Sequence, residues 1–225
     1  MSAAASALLA AASASCVPSR LVLGSGSGSR AAILRELGLP FTVSKPGIDE
    51  KAIRFADPHQ LVLALGKAKA EALLAKPEAA AWAAERTLLL TGDQVVVCGG
   101  DILEKPESEA EARRFIAAFA RTPPSTVGSC VVTDARSGRQ WAAVDVATVT
   151  FAPLPTATVD ALVAEGEIFQ CAGGLMVENP LVQPHILGMQ GEMDAVMGLR
   201  KQTVLRLLAE AANAARADDA AGEPT

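Results

Sequence analysis

The sequence predicts an α/β fold, a mixed β-sheet flanked by helices, and three observations carry that expectation. Short apolar runs alternate with longer amphipathic ones along most of the chain. Tight turns join neighbouring extended runs into hairpins, and half of the 225 residues are hydrophobic while a fifth are charged. Interleaved strands and helices argue for helices packed on a sheet, and the hairpins make that sheet mixed rather than purely parallel. A chain of this length and composition buries a sizeable core, as one large domain or two lobes.

Each element has a local reason. "RLVLG" at 20–24 reads as a strand, and "SRAAILRELG" at 29–38 as a helix with Ile33, Leu34 and Leu37 on one face and Gly38 as its stop. "FTVS" is a short strand before the loop "KPGIDE". Asp57 and Pro58 have the chemistry of an N-cap and first helical position, opening a long helix through "HQLVLALGKAKAEALLAK". "TLLLTGDQVVVCGGDILEKP" reads as two strands around Asp93, with Gly99 and Gly100 turning a hairpin. In "SEAEARRFIAAFA", Ser108 and Glu111 stand at capping-box spacing before an amphipathic helix. "GSCVVTDARSGRQWAAVDVATVTFAPL" holds two extended runs joined by a turn at 136–139, and "TATVDALVAEG" is a helix. Residues 171–199 read as irregular and lead into a last helix, "RKQTVLRLLAEAANAA"; no internal repeat is present.

Composition excludes several function classes. No uninterrupted apolar run reaches the roughly 18 residues of a membrane-spanning helix. Net charge is −5 with no block of Lys or Arg, so neither nucleic acid nor an acidic membrane is an expected partner. An anionic ligand has to be met by local cations. Cys16, Cys98, Cys130 and Cys171 stand far apart with no Cys-x-x-Cys, and His59 and His185 are the only histidines. Neither a zinc site nor a disulfide framework is expected, and the cysteines read as buried apolar residues in a reducing, cytoplasmic setting. Residues 1–19 form an Ala/Ser tract without charge, which suits neither a secretory signal nor a mitochondrial presequence. A disordered extension is expected there, with a short plastid-type leader as the alternative. The domain is expected over 20–215, and 216–225 as a polar tail that frays.

The stretch "LVLGSGSGSRAAILRELG" poses the functional question. It lacks the Gly-Lys-Ser/Thr of a Walker A loop and does not fit Gly-x-Gly-x-x-Gly. Its glycines nevertheless let backbone N–H groups approach an anion, Ser25 and Ser27 add hydroxyls, a helix N-terminus follows, and Arg30 offers a fork suited to phosphate. A plain strand-to-helix turn with Arg30 on the surface accounts for the same residues. Lys67 also reads as an i,i+4 partner of Glu71, Glu50 as a loop carboxylate, and Lys105 as a charge on a strand edge. Asp93 is different: "LLLTGDQVVV" is otherwise a continuous hydrophobic run, and a carboxylate inside it must find a partner.

Several ordered segments together resemble the Maf family of nucleotide pyrophosphatases. "SGSGSR" at 25–30 is similar to its Ser-x-Ser-x-x-Arg loop, followed by a similar "LRELGLPF". "IDE" at 48–50 resembles its Val/Ile-Asp-Glu, and Lys67-Ala68 its helical Lys-Ala. "GDQVV" at 92–96 resembles its Ala/Ser-Asp-Thr/Gln-Val-Val, and "EKP" at 104–106 its Lys-Pro. "CAGGLMVENPL" and "MGL" resemble its Ala-Gly segment and the Gly-Leu-Pro before the last helix, so the resemblance covers roughly 20–210.

That resemblance implies a fold of the Maf and inosine triphosphate pyrophosphatase type, in which a long twisted mixed sheet separates two lobes around a nucleotide cleft. It implies hydrolysis of a nucleoside triphosphate to the monophosphate and pyrophosphate with Mg²⁺ or Mn²⁺. Arg30, Lys67 and Lys105 would then neutralise phosphate oxygens, while Glu50 and Asp93 supply hard oxygen ligands to the metal. Asp93 would orient or deprotonate the attacking water. The catalytic set is thus Asp93, Lys67, Lys105 and Glu50, and the substrate-binding set Ser25, Ser27, Arg30, Gln94 and Glu178.

Departures from the family pattern fall at Gly28, Ser29, Arg200 and "RTPPST". They bear on base specificity more than on reaction type. Of the three positions that separate the thymidine/uridine branch (Arg, Thr, Gln) from the 7-methyl-GTP branch (Trp, Gln, Glu), Ser29 matches neither, and Gln94 and Glu178 match the second. A carboxylate accepts hydrogen bonds from the N–H groups of a guanine edge. A purine or modified guanine triphosphate is therefore expected. A dTTP/UTP-type pyrophosphatase and a non-catalytic nucleotide-binding regulator of cell division are the alternatives. A homodimer is left open.

Overall fold

The computed structural model describes residues 20–174 and 176–222. Eight strands form one open mixed sheet. β1 (Leu21–Gly24) runs parallel to both β2 (Thr42–Val43) and β3 (Leu88–Thr91). β4 (Gln94–Cys98) and β5 (Asp101–Leu103) make the hairpin turned by Gly99 and Gly100, whose φ values of 63° and 91° favour glycine. β6 (Ser125–Asp134) and β7 (Gln140–Phe151) form a long antiparallel ribbon, and β8 (Ile186–Gln190) pairs with β7 at the edge.

The strand pairings on β6 explain the "LLLTGDQVVV" run. β3 lies against the C-terminal half of β6 and β4 against its N-terminal half, on the same flank. Thr91 faces Val131 and Gln94 faces Gly128, so one register continues through the break. Gly92 and Asp93 therefore interrupt a single line of pairing, and the Ser129 N–H still donates to the Asp93 carbonyl at 2.8 Å. The interruption divides the sheet into two ends.

Helices cover both faces. α1 (Gly28–Glu36) is capped by Ser27, whose hydroxyl accepts the Arg30 N–H. α2 (Pro58–Leu74) is capped by Asp57 with Pro58 first, as its sequence requires. α3 (Ala79–Ala84) is short, and α4 (Glu109–Phe119) is capped by Ser108. The Glu111 carboxylate turns back to the N–H of Glu107 rather than that of Ser108, so the capping box closes one residue early. α5 (Thr156–Glu165), α6 (Met193–Val196) and α7 (Lys201–Gly222) complete the set.

Because side chains alternate along β6, Cys130 and Val132 face α1 and α7, whereas Ser129 and Val131 face α2. Leu34, Leu90, Val132, Leu207 and Leu208 fill the core beneath α1 and α7. Phe115, Phe119, Val149, Phe151 and Leu162 fill the core beneath α4 and α5. On the other face α2 spans both ends, with Leu61 and Leu65 against Val95 and Val127, and Leu73 against Val22 and Leu89. Each such buried leucine contributes about 1.5–3 kcal/mol.

Two sequence expectations are corrected. The stretch read as irregular over 171–199 contains β8 and α6. β8 escapes pattern reading because Gly188 sits in its middle and it pairs only with β7. α7 continues to Gly222, beyond the "RKQTVLRLLAEAANAA" expected for the last helix, in an alanine-rich run that favours helix. The expectations for residues 1–19 fall outside the described residues. Among the described residues no helix is long and apolar enough to cross a membrane.

Candidate functional site

The site is built on the break between β3 and β4. Asp93 stands there, and α2 sends Lys69 to meet it: Lys69 Nζ lies 2.9 Å from Asp93 Oδ1 and 2.8 Å from Glu50 Oε1. Lys69 is 6% exposed. Glu50 opens a short 3₁₀ turn, Glu50–Ala52, which Asp49 caps by accepting the Lys51 N–H at 3.0 Å. One buried ammonium is thus shared by two carboxylates from separate segments.

This corrects the expectation for Lys67, which is exposed and outside the cleft. "KAKA" contains the Lys-Ala pair twice, and two residues along a helix is a rotation of about 200°. Only one copy can face the sheet. Leu61, Leu65, Lys69 and Leu73 lie at successive i,i+4 positions and all are buried. That periodicity is the sequence signal that selects Lys69.

Across from this cluster, the glycine-serine loop holds Arg30. The guanidinium is buried, not on the surface: Nε donates to the Gly198 carbonyl at 3.2 Å and Nη1 to Ser25 Oγ at 3.2 Å. Burial pushes its pKa below the usual value, while Asp93 and Glu50 act in the opposite direction. A guanidinium stays charged under such conditions. Ser25 Oγ also accepts the Ser27 N–H, and the Ser27 and Ser29 hydroxyls lie 2.8 Å apart. Gly24 is required for packing, since a Cβ would stand 2.5 Å from the Thr91 methyl.

Ser25, Ser27, Arg30, Glu50, Lys69 and Asp93 line one cleft of about 1140 Å³. Lys105, Gln94 and Glu178 line it too. Lys105 is exposed between Glu104 and Glu107, which pair with Arg54 at 2.9 Å and Lys51 at 2.7 Å. Those pairs tie the Lys105 segment to the Glu50 turn. Gln94 Nε2 donates to the Val196 carbonyl at 2.9 Å. Glu178 is exposed, and the nearby Cys171 thiol is pushed up to about 11 by burial first and by Glu178 second, with Lys105 opposing. Among the described residues no group of three or more His, Cys, Asp and Glu gathers as a metal centre.

Residues 20–211 match the family described as Maf-like protein. The chain belongs to the Maf-like family. This Maf-like chain is 35% identical over 191 residues to the 7-methyl-GTP pyrophosphatase of Dictyostelium discoideum, covering 84% of this chain and 96% of that relative. It is 35% identical over 192 residues to a nucleoside triphosphate pyrophosphatase of Streptomyces coelicolor, covering 85% and 90%. It is also 35% identical over 193 residues to the dTTP/UTP pyrophosphatase of Moorella thermoacetica, covering 85% and 94%. Relatives named for different substrates thus stand at equal identity, so overall likeness does not choose the base.

In this Maf-like protein the arrangement suits a polyanion. Cations stand on several walls, with Arg30 beside the loop, Lys69 on the floor and Lys105 on the rim. The carboxylates of Glu50 and Asp93 mark the point between them where a water or a hard cation can be held.

Proposed function

We propose that this Maf-like protein hydrolyses a nucleoside triphosphate to the monophosphate and pyrophosphate. The observation that carries this reading is the Lys69 ammonium held by Glu50 and Asp93 in the cleft that Arg30 also lines. Arg30 and Lys105 bind phosphate oxygens, and Lys69 holds both carboxylates in place. Asp93 orients a water toward the α-phosphorus. A bond forms from that water to phosphorus, the α–β anhydride bond breaks, and pyrophosphate departs; the water's proton passes to Asp93.

Glu50 and Asp93 would hold a Mg²⁺ or Mn²⁺ ion. Two hard carboxylates brought together at Lys69 suit such an ion, which binds through one or two carboxylates and the substrate's own phosphates. Lys69 engages Oε1 of Glu50 and Oδ1 of Asp93, leaving the second oxygen of each. When bound, the ion supplies neutralisation of phosphate charge.

A purine or modified guanine triphosphate, such as 7-methyl-GTP, is the proposed substrate. Gln94 and Glu178 in the cleft support it, as does the name of the Dictyostelium relative. The Moorella relative's name supports the dTTP/UTP alternative.

The test is product analysis with purified protein, a panel of nucleoside triphosphates and Mg²⁺ or Mn²⁺. Pyrophosphate formed over many turnovers is expected, with activity lost in chelator. Orthophosphate as first product overturns the reaction, full activity in chelator overturns the metal, and binding without turnover supports a regulator instead.

A further inference from the structure

We infer that Ser129 and Thr91 are positioning residues for the Lys69–Asp93 pair, an inference that rests on that pair belonging to the reaction site. Neither residue lines the cleft, and each is 1% exposed. Ser129 Oγ accepts the Asp93 N–H at 3.0 Å and donates to the Val62 carbonyl of α2 at 2.6 Å. Thr91 Oγ1, two residues before Asp93, donates to the Gly66 carbonyl of α2 at 2.7 Å.

Val62 and Gly66 are one turn apart, on the same side of α2 and both before Lys69. Two anchors about 6 Å apart along a helix set its rotation and its axial position together. Lys69 follows within the next turn, so the place of its ammonium is set by hydroxyls from β3, which ends just before Asp93, and from β6, the strand paired alongside it. One of those hydroxyls also holds the Asp93 backbone. The same junction therefore locates donor and acceptor of the 2.9 Å ion pair.

Backbone approach at the junction is unusually close. A Cβ on Gly66 would stand 2.9 Å from Ser129 Oγ and 3.0 Å from the Val131 side chain. Satisfaction of helix carbonyls does not account for the contacts, because carbonyls within a helix already accept intrahelical N–H groups and here take a second donor. Burial of a hydroxyl does not account for them either. Thr87 and Thr126 carry buried hydroxyls with no hydrogen-bond partner among the described residues. Thr91 and Ser129 instead stand next to Asp93, and both direct their hydroxyls at the helix that bears Lys69.

The experiment measures pyrophosphate release by the full chain and by Thr91→Val, Thr91→Ser, Ser129→Ala and Asp93→Asn, each checked for folding by circular dichroism and Tm. The assay temperature is held well below every Tm. Thr91→Val keeps the shape and removes the hydroxyl. Its kcat is expected to fall at least ~10-fold with KM within about threefold, because a small misplacement of reacting groups acts on turnover more than on binding. Thr91→Ser restores the hydroxyl and is expected to return kcat to within about twofold. A folded Thr91→Val with kcat within about twofold of wild type overturns the inference, since a merely structural contact would lower Tm alone. If Ser129→Ala does not fold, the Thr91 variants decide. Wild-type turnover in Asp93→Asn would instead remove the reading of the site on which the inference rests.

Discussion

Lys69 and Asp93, 24 residues apart in the chain, meet at 2.9 Å where a helix on one face of the sheet passes the break in a strand line. Asp93 gains the partner that a carboxylate in an apolar run demands. Lys69, deeply buried, is held by two carboxylates instead of one. The two carboxylates make the burial of the Lys69 ammonium tolerable, Asp93 from within the sheet and Glu50 from the exposed side, so removing Lys69 leaves both without their shared partner.

Lys69→Ala should therefore lower kcat/KM by about 10–100-fold, the equivalent of a charge-assisted contact of ~1.5–3 kcal/mol. Lys67→Ala should leave kcat/KM within about twofold, as substitution of an exposed helix residue does. Steady-state kinetics on the two variants decide between the adjacent Lys-Ala pairs. The reverse ranking would return the role to Lys67.

Arg30 links the glycine-serine loop to Gly198 and Ser25 through separate nitrogens of one fork. Arg30→Lys keeps the charge and loses the fork, so kcat/KM is expected to fall at least ~10-fold. Arg30→Ala should fall further and also lower Tm, because the side chain is buried. Unchanged kinetics in folded Arg30→Lys would make the loop a connector.

Gly92 is required by geometry at the break itself. A Cβ there would overlap the Ser129 carbonyl oxygen, which is backbone and cannot rotate away. Gly92→Ala should lose about 3 kcal/mol or more, at the upper end of overpacking effects. Denaturant unfolding measures this, and a loss under about 1 kcal/mol would show that the strand line can open.

The alkaline limb of stability should depend on Cys130. Burial pushes this thiol from 9.0 up to about 12, with Asp145 adding to the shift and Arg30 and Arg206 opposing it. Between those values the folded state keeps a proton that the unfolded state has lost. The stabilisation is full below pH 9 and declines as pH rises toward 12, at about 1.4 kcal/mol per pH unit. Cys130→Ala should flatten the measured slope of unfolding free energy in that window by this amount. An unchanged slope would show that the thiol is ionised in the folded protein.

Base choice should respond to Glu178. Glu178→Gln replaces an acceptor-only carboxylate with an amide, so selectivity for GTP or 7-methyl-GTP over dTTP should weaken several-fold, roughly the effect of one hydrogen bond. At least tenfold higher kcat/KM of the wild type on dTTP or UTP than on the guanine nucleotides would defeat the specificity reading and leave the reaction class intact.

The strands from β1 to β7 and the longer helices between them were legible because of local signals such as Asp57 before Pro58, Ser108 before Glu111 and paired glycines at a hairpin, whereas the short α3 and the Glu50–Ala52 turn were not read. Asp93 was legible as a polar residue that its neighbours could not explain. Arg30 was legible as chemistry but not as a buried group, since its burial depends on Gly198 arriving from the far end of the chain. Ser129 and Thr91 gave no signal, because a hydroxyl on a strand reads alike whether or not a helix carbonyl lies beneath it.

The sequence by itself determined what is local or repeated within a turn of helix: the caps, the apolar stripe of α2, the carboxylate inside a hydrophobic run, and the family motifs. Helical phase even held the choice of Lys69 over Lys67. Tertiary structure alone decided that β3 and β4 share one line along β6, that β8 closes the edge, and that Lys69, Glu50 and Asp93 converge. These contacts join segments dozens of residues apart, and their geometry comes from how closely Gly66 and Gly92 let a helix and two strands approach. A distance of that kind is a property of packed surfaces, which the order of residues along one segment does not contain.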